Sequence, residues 1–150
     1  LFVGEKSQVQ GTLRCSCDDK NVYFLVEVLD RSLLRGDYAT VYLSPDDSKS
    51  LTNGAKRIQV SMDGLKSTET YAGKWNNAEM GVEVKTYVCN DTNEDRIDNY
   101  GYIAEISVPR SSLTISSGQV LVNFSITDNK EEEAVSDVSS ISRWIPVAGL

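Results

Sequence analysis

Polar and aromatic side chains recur at alternate positions in three segments of the chain. Alternate residues of a strand point to the same side of a sheet, so each segment contributes one row of such side chains. Hydrogen-bonding groups beside a ring suit a ligand with hydroxyls on its rim and CH groups on its face. The rows form either a binding face or a solvated sheet face: Tyr38, Thr40 and Tyr42; Arg57, Gln59 and Ser61; Asn123, Ser125 and Thr127.

The two tryptophans, Trp75 and Trp144, add large rings that either stack on a sugar when exposed or plug the ends of a fold when buried. Polar surroundings favour exposure of Trp75, whereas Ile141 and Ile145 favour burial of Trp144. The candidate carbohydrate-binding residues are therefore Tyr38, Thr40, Tyr42, Arg57, Gln59, Trp75, Ser125 and Trp144.

Catalysis is not expected, because the chain contains no histidine. That absence removes the usual general base of acyl transfer and the commonest metal ligand. A glycosidase instead needs two carboxylates about 5–9.5 Å apart. Glu105 is the one acid at an interior-looking strand position. We predict no catalytic residue and no required cofactor.

Structural calcium is the one ion that the acidic loops suggest. Asp91, Asn93 and Asp95 have the spacing that opens an EF-hand loop, but Arg96 and Tyr102 stand where glycine and glutamate are needed. An EF-hand is therefore rejected. Calcium held by other loop carboxylates and a solvated acidic loop both remain open, and the candidate ligands are Asp30, Asp46, Asp47 and Asp128.

The three cysteines, Cys15, Cys17 and Cys89, leave at least one unpaired. Cys15 and Cys17 lie two apart on one face of a predicted strand, where they are expected to act as small buried hydrophobic residues. A disulfide from either to Cys89 would require an export compartment.

Length and charge limit the class of protein. A chain of 150 residues has the length of one domain, predicted here to span residues 1–150. A net charge of −7 argues against nucleic acid and anionic lipid as partners. Membrane insertion is not expected, because no apolar run reaches 18 residues, and a signal peptide is not found at the start.

Period-two alternation predicts an all-β protein, a jelly-roll-like β-sandwich of two antiparallel sheets with about eight or more strands. The segment 22–29 is apolar on both faces, which predicts a central strand buried from both sides. The polar stretch 63–81, which carries Trp75, is interpreted as a long functional loop, and 128–140 as an acidic, serine-rich segment. The predicted strands are 11–17, 22–29, 38–44, 56–62, 82–89, 100–108, 119–127 and 141–147.

The order and spacing of several motifs resemble those of the family-nine carbohydrate-binding modules and related sugar-binding sandwiches. The resemblance covers about residues 9–144. The matching pieces are CDDKNVYFLVEVLD, GDYATVYLSPDD, RIQVSMDG, GYIAEISVPRSSL and VLVNFSITDN.

The resemblance implies a β-sandwich and a non-catalytic module of a secreted polysaccharide-degrading enzyme, often with structural calcium. Carbohydrate is then the expected partner, with a neighbouring catalytic domain, in an extracellular, cell-surface or periplasmic location. The alternative is a structural or protein-interaction sandwich without a sugar ligand.

Several positions depart from the family pattern. Leu34 and Arg35 stand where the family has an aromatic residue, and Thr40 replaces its strand glutamate. Gln59 falls where arginine is expected, with Arg57 two residues away on the same face, and Ser125 falls where glutamine is expected. The "IDG" followed by tryptophan that begins family members is also missing. The family's own sugar clamp is therefore not preserved.

Overall fold

The computed structural model describes residues 1–4, 9–30, 33, 36–45, 51–89, 101–115, 118–129, 136–140 and 145–150, which form two antiparallel sheets. The predicted β-sandwich is confirmed. The strands are β1 Phe2–Gly4, β2 Val9–Cys17, β3 Asn21–Asp30, β4 Tyr38–Ser44, β5 Lys56–Ser61, β6 Gly64–Tyr71, β7 Trp75–Asn77, β8 Glu83–Cys89, β9 Gly101–Pro109, β10 Gln119–Asn129, β11 Ser136–Ser140 and β12 Ile145–Ala148.

The chain crosses between the sheets three times. One sheet has five strands in the order β1-β2-β3-β9-β8, and the other has seven, in the order β11-β10-β4-β5-β6-β7 with β12 also paired to β10. A short 3-10 turn, Arg110–Ser112, follows β9. Among the described residues, no helix has the length and hydropathy to cross a membrane.

The core lies between the sheets and follows from the alternation in sequence. Val22, Val26, Val41, Ile58 and Phe124 turn inward, and each is fully buried. A Cβ at Gly11 would lie only 2.2 Å from the Cδ1 atom of Ile126, so glycine lets β2 approach the facing sheet closely.

Two segments predicted as irregular contain strands. The predicted loop 63–81 forms β6 and β7, which extend the seven-stranded sheet beyond β5. Residues 66–70 of β6 are all polar, so no apolar alternation predicts this strand, and its pairing with β5 orders it instead. Within 128–140, β10 continues to Asn129 and β11 pairs with it.

Three expectations about buried side chains are wrong. Cys15 is exposed although it lies opposite the buried Phe24, and Glu105 points away from the core and is exposed. Strand β3 is buried on its inner face alone, because Tyr23 and Leu25 on its outer face are half-buried and Leu29 is 48% exposed.

The three cysteines are unpaired. Cys89 lies on β8, and β9 and β3 separate this strand from β2, which carries Cys15 and Cys17. Three strand spacings amount to about 14 Å, well beyond the Cα separation that a disulfide bridges. The disulfide considered from the sequence is therefore excluded by strand order.

Candidate functional site

Strand pairing brings the three predicted rows together on the outer face of the seven-stranded sheet. Tyr42 lies opposite Asn123 on one side and Arg57 on the other. Thr40 lies between Ser125 and Gln59 in the same way. Strands β6 and β7 extend these rows and bring Trp75 beside them. We call this surface, on strands β10, β4, β5, β6 and β7, the aromatic face.

Three rings form the centre of the aromatic face. The centroids of Tyr42 and Trp75 are 6.2 Å apart with the ring planes tilted by 51°, and Tyr71 meets Trp75 edge-on at 5.4 Å. All three side chains are half-buried, so Trp75 is less exposed than the sequence suggested. The three rings are tilted against one another and do not form one flat platform.

Arg57 ties the rings to the neighbouring strand. Its guanidinium carbon lies 4.6 Å from the centroid of the Trp75 ring, within cation–π distance. Its Nε atom donates a hydrogen bond to the Oε2 atom of Glu69, directly opposite on β6. The two charged side chains are 24% and 13% exposed. The pair fixes a cation against the indole and limits the motion of that ring.

A second set of hydrogen bonds lies next to the rings. The Oγ atom of Ser67 donates to Oε1 of Gln59 at 2.8 Å, and Nε2 of Gln59 donates to Oγ1 of Thr40 at 3.4 Å. The hydroxyl of Ser125 is 3.5 Å from that of Tyr42. Thr40 and Ser125 are 1% and 2% exposed. They therefore lie beneath Gln59 and Tyr42 and support them.

The other predicted site residues have different placements. Tyr38 lies at the far end of β4, where Nζ of Lys66 is 4.4 Å from its ring centroid. Trp144 lies outside the described residues, as do positions 34 and 35. Ser67, Glu69 and Tyr71 were not predicted as site residues, because the segment that carries them was predicted to be a loop. Polar residues run through 66–70 without alternation, so no local pattern places these side chains on the aromatic face.

Three buried carboxylates meet at one end of the sandwich. Asp30 ends β3, Asp37 directly precedes β4, and Asp128 lies in β10. The ligand atoms lie within 4.8 Å of one another, and the residues are 2%, 2% and 6% exposed. Two of them were expected as calcium ligands; Asp37 was missed, although it directly precedes a predicted strand. The other two candidates, Asp46 and Asp47, lie outside the described residues, as does the rejected EF-hand segment.

This carboxylate cluster fits calcium. The ion prefers oxygen ligands at about 2.3–2.6 Å, and a single ion can bridge two oxygens that are 4.8 Å apart. Three carboxylates offer the oxygen donors that a hard divalent cation binds. The backbone N–H of Asn129 donates to Oδ1 of Asp37 at 2.8 Å. Burial, with a smaller contribution from the charges of Asp37 and Asp30, raises the pKa of Tyr102 well above its usual range.

Comparison with known sequences identifies a family and a relative. Residues 2–147 match the family model described as carbohydrate family 9 binding domain-like. An endo-1,4-beta-xylanase C from Paenibacillus barcinonensis is 30% identical over 121 residues, which are 80% of this chain. The match covers 10% of that relative, so this chain corresponds to about a tenth of its length.

Solved structures agree with the fold. A family 9 carbohydrate-binding module from Caldicellulosiruptor kristjanssonii in complex with cellotriose has a TM-score of 0.63 at 17% identity. The match covers 92% of this chain and 67% of that one. The module in complex with glucose also gives 0.63, at 18% identity, covering 92% and 69%. At this level of identity, the likeness shows the shared sandwich alone.

Proposed function

The chain belongs to the carbohydrate family 9 binding domain-like family, and on that premise we propose that its aromatic face binds a carbohydrate chain. The observation that carries this proposal is the cluster of Tyr42, Tyr71 and Trp75 with Arg57 held against the indole. The ligands of the similar modules, cellotriose and glucose, and the xylanase relative make β-linked glucans and xylans the first glycans to test.

Ring geometry supports a single soluble chain as the ligand. Indole and phenol rings pack against the CH groups of a pyranose, and here the two tyrosine rings are tilted by 51° and 69° from the Trp75 plane. A flat crystalline surface would need coplanar rings. We therefore expect the domain to prefer free oligosaccharides over crystalline cellulose.

The polar groups around the rings are held in place before a ligand arrives. Gln59 is held by Ser67 and Thr40, and Arg57 by Glu69. Such preorganisation reduces the entropy lost on binding, because these side chains are already ordered. The Gln59 amide and the Tyr42 hydroxyl are the groups proposed to exchange hydrogen bonds with sugar hydroxyls.

The domain is proposed to bind without hydrolysing its ligand. Glu105, the acid considered for catalysis, is exposed on the five-stranded sheet and therefore lies on the opposite side of the sandwich from the aromatic face. Glu69 does lie on the aromatic face, but its Oε2 atom accepts a hydrogen bond from Arg57. A carboxylate oxygen engaged in this way is not free to contact a glycosidic oxygen.

The remaining parts of the proposal concern stability and setting. Asp30, Asp37 and Asp128 would hold a structural calcium ion that joins the end of β3 to strands β4 and β10. The longer protein is proposed to be an exported polysaccharide-processing enzyme, in which this domain keeps a catalytic neighbour close to its substrate. Binding in one part of a chain raises the effective concentration for another.

Isothermal titration calorimetry with glucose, cellotriose and xylotriose tests the proposed function. We expect saturable binding of at least one sugar, weakened about tenfold or more in Trp75→Ala. Tyr87→Ala is the matched control, because Tyr87 is an aromatic residue 54% exposed on the other sheet. Lack of binding by the native chain across a wider glycan panel would favour the alternative, a structural or protein-interaction domain.

A further inference from the structure

An open groove of about 720 Å³ lies on the outer face of the five-stranded sheet, on the opposite side of the sandwich from the aromatic face. Residues of β2, β3, β9 and β8 line it. Four neighbouring strands span about 14 Å, and the volume lies within the range typical of small-molecule sites. The groove is therefore large enough for a short oligosaccharide.

The floor of the groove is aromatic and apolar. Tyr23 and Leu25 lie two residues apart on β3, on the same face, and both are half-buried. The hydroxyl of Tyr23 donates to Oδ2 of Asp18 at 2.7 Å and accepts from Nδ2 of Asn21 at 3.3 Å. These contacts fix the ring in the groove, so it is ordered before any ligand binds.

The rim of the groove is polar and electrically balanced. Two cations, Arg14 and Lys85, and two anions, Glu83 and Glu105, line it. Lys85 lies directly opposite Glu105, and Arg14 is 3.3 Å from a carboxylate oxygen of Glu27. These four lining charges sum to zero and offer many hydrogen-bond donors and acceptors, and because Arg14 also contacts Glu27 the rim does not attract a polyanion.

We propose that this groove is a second carbohydrate-binding site, specific for neutral oligosaccharides. The CH face of a sugar would pack on Tyr23 and Leu25, while the charged rim would bind its hydroxyls. Serine hydroxyls flank the ring in register, because Ser16 and Ser107 both lie opposite Tyr23. The inference rests on the proposed function for the class of ligand, but not on the aromatic face as the place where it binds.

A second site would make the domain bivalent. The two sites lie on outer faces of opposite sheets, which pack about 10 Å apart, so the whole sandwich separates them. One short oligosaccharide cannot contact both. The domain would therefore bind two chains, or two distant parts of one polysaccharide. On a dense substrate this would give avidity, which experiments with short oligosaccharides do not detect.

Amide chemical-shift mapping of the ¹⁵N-labelled chain with cellotriose, xylotriose and mannotriose tests the second site. We expect at least one sugar to shift the amides of Tyr23, Leu25 and Ser107, with calorimetry giving two sugars per chain when both sites bind the same one. Tyr23→Ala should abolish the shifts in the groove and leave those around Trp75 unchanged. Trp75→Ala should have the converse effect.

The controls separate failure of this inference from failure of the proposed function. Tyr87→Ala removes another aromatic ring from the same outer face but outside the groove, and should leave both sets of shifts intact. Glu105→Gln, at an exposed position, provides a variant that keeps the fold and should weaken the groove alone. Absence of groove shifts with all three sugars overturns the second site, whatever the aromatic face does; shifts confined to the groove overturn the proposed site instead.

Discussion

The guanidinium carbon of Arg57 lies 4.6 Å from the centroid of the Trp75 ring, and Glu69 holds the guanidinium from the neighbouring strand. This arrangement links an ion pair to the largest ring of the aromatic face. The contact covers part of the indole surface and therefore limits the area of the ring that a sugar can reach. The same contact orients the ring. The strength of binding should therefore depend on Arg57 without any direct contact to the ligand.

Replacement of Arg57 should weaken sugar binding. Loss of a cation–π contact of about 0.5–2 kcal/mol leaves the indole less ordered, so Arg57→Ala should raise the Kd about 2- to 30-fold. Arg57→Lys should restore little of this, because an ammonium does not stack on a ring as a planar guanidinium does. Calorimetry gives the Kd, and time-resolved fluorescence anisotropy gives the mobility of the tryptophan. An unchanged Kd in both variants would show that Arg57 does not position Trp75.

The ring of Tyr42 should matter more than its hydroxyl contact to the protein. The Ser125 hydroxyl lies at 3.5 Å, the outer limit of a hydrogen bond, so its loss in Ser125→Ala should change the Kd less than about threefold. Tyr42→Ala removes a ring that packs 6.2 Å from Trp75 and should cost at least about tenfold. Affinity electrophoresis in gels with soluble xylan or glucan compares the two variants side by side. Equal effects would contradict binding that depends on the rings.

Calcium should stabilise the fold through the carboxylate cluster. At a hundredfold excess over its Kd, an ion that binds only the native state adds about 2.7 kcal/mol, or about 5–11 °C in Tm. Asp37→Asn should abolish this gain, because an amide replaces one of the three carboxylates that would hold the ion. Calorimetric melting with calcium and with EDTA measures the gain in each protein. If EDTA leaves the Tm of the native chain unchanged, the carboxylate cluster supports the fold without a bound ion.

Asp18 should titrate at lower pH than an ordinary aspartate. Hydrogen bonds from the Tyr23 hydroxyl and from the backbone N–H groups of Asn21 and Lys20 lower its pKa. A lowered folded-state pKa contributes stability above the unfolded value of about 3.9, and that contribution is lost as pH falls through the folded value. In Tyr23→Phe, ¹³C carboxyl NMR should show the pKa of Asp18 rising. An identical titration in both proteins would mean that the Tyr23 hydroxyl does not bind Asp18.

The sequence correctly predicted the strands in which apolar residues alternate with outward-facing residues. Strand β4 has the predicted bounds, because inward Ala39, Val41 and Leu43 alternate with Tyr38 and Tyr42, and a proline follows. Strands β6 and β7 were missed because their polar residues carry no hydrophobic period. Their order comes from pairing with β5, an interaction between segments that a window along the chain does not detect.

The candidate site was predicted in part for the same reason. The rows of β4, β5 and β10 could be matched from alternation, but Glu69 and Tyr71 reach the rings only through β6. Asp37 lies beside Asp30 and Asp128 because three strand ends meet there. No spacing in the sequence predicts that these three residues are neighbours. The outer side of β3 misled the prediction because Tyr23 and Leu25 have the hydrophobicity of buried residues, yet no second layer covers them among the described residues.

The indole N–H resonance of Trp75 provides the most direct test of carbohydrate binding at the aromatic face. The chain has two tryptophans, so Trp144→Phe leaves a single indole signal in a ¹⁵N–¹H spectrum. We predict that this signal shifts and saturates as cellotriose or xylotriose is added, with the Kd that calorimetry gives for the same sugar. An indole signal that stays in place while the sugar saturates the protein would contradict the assignment of binding to the aromatic face.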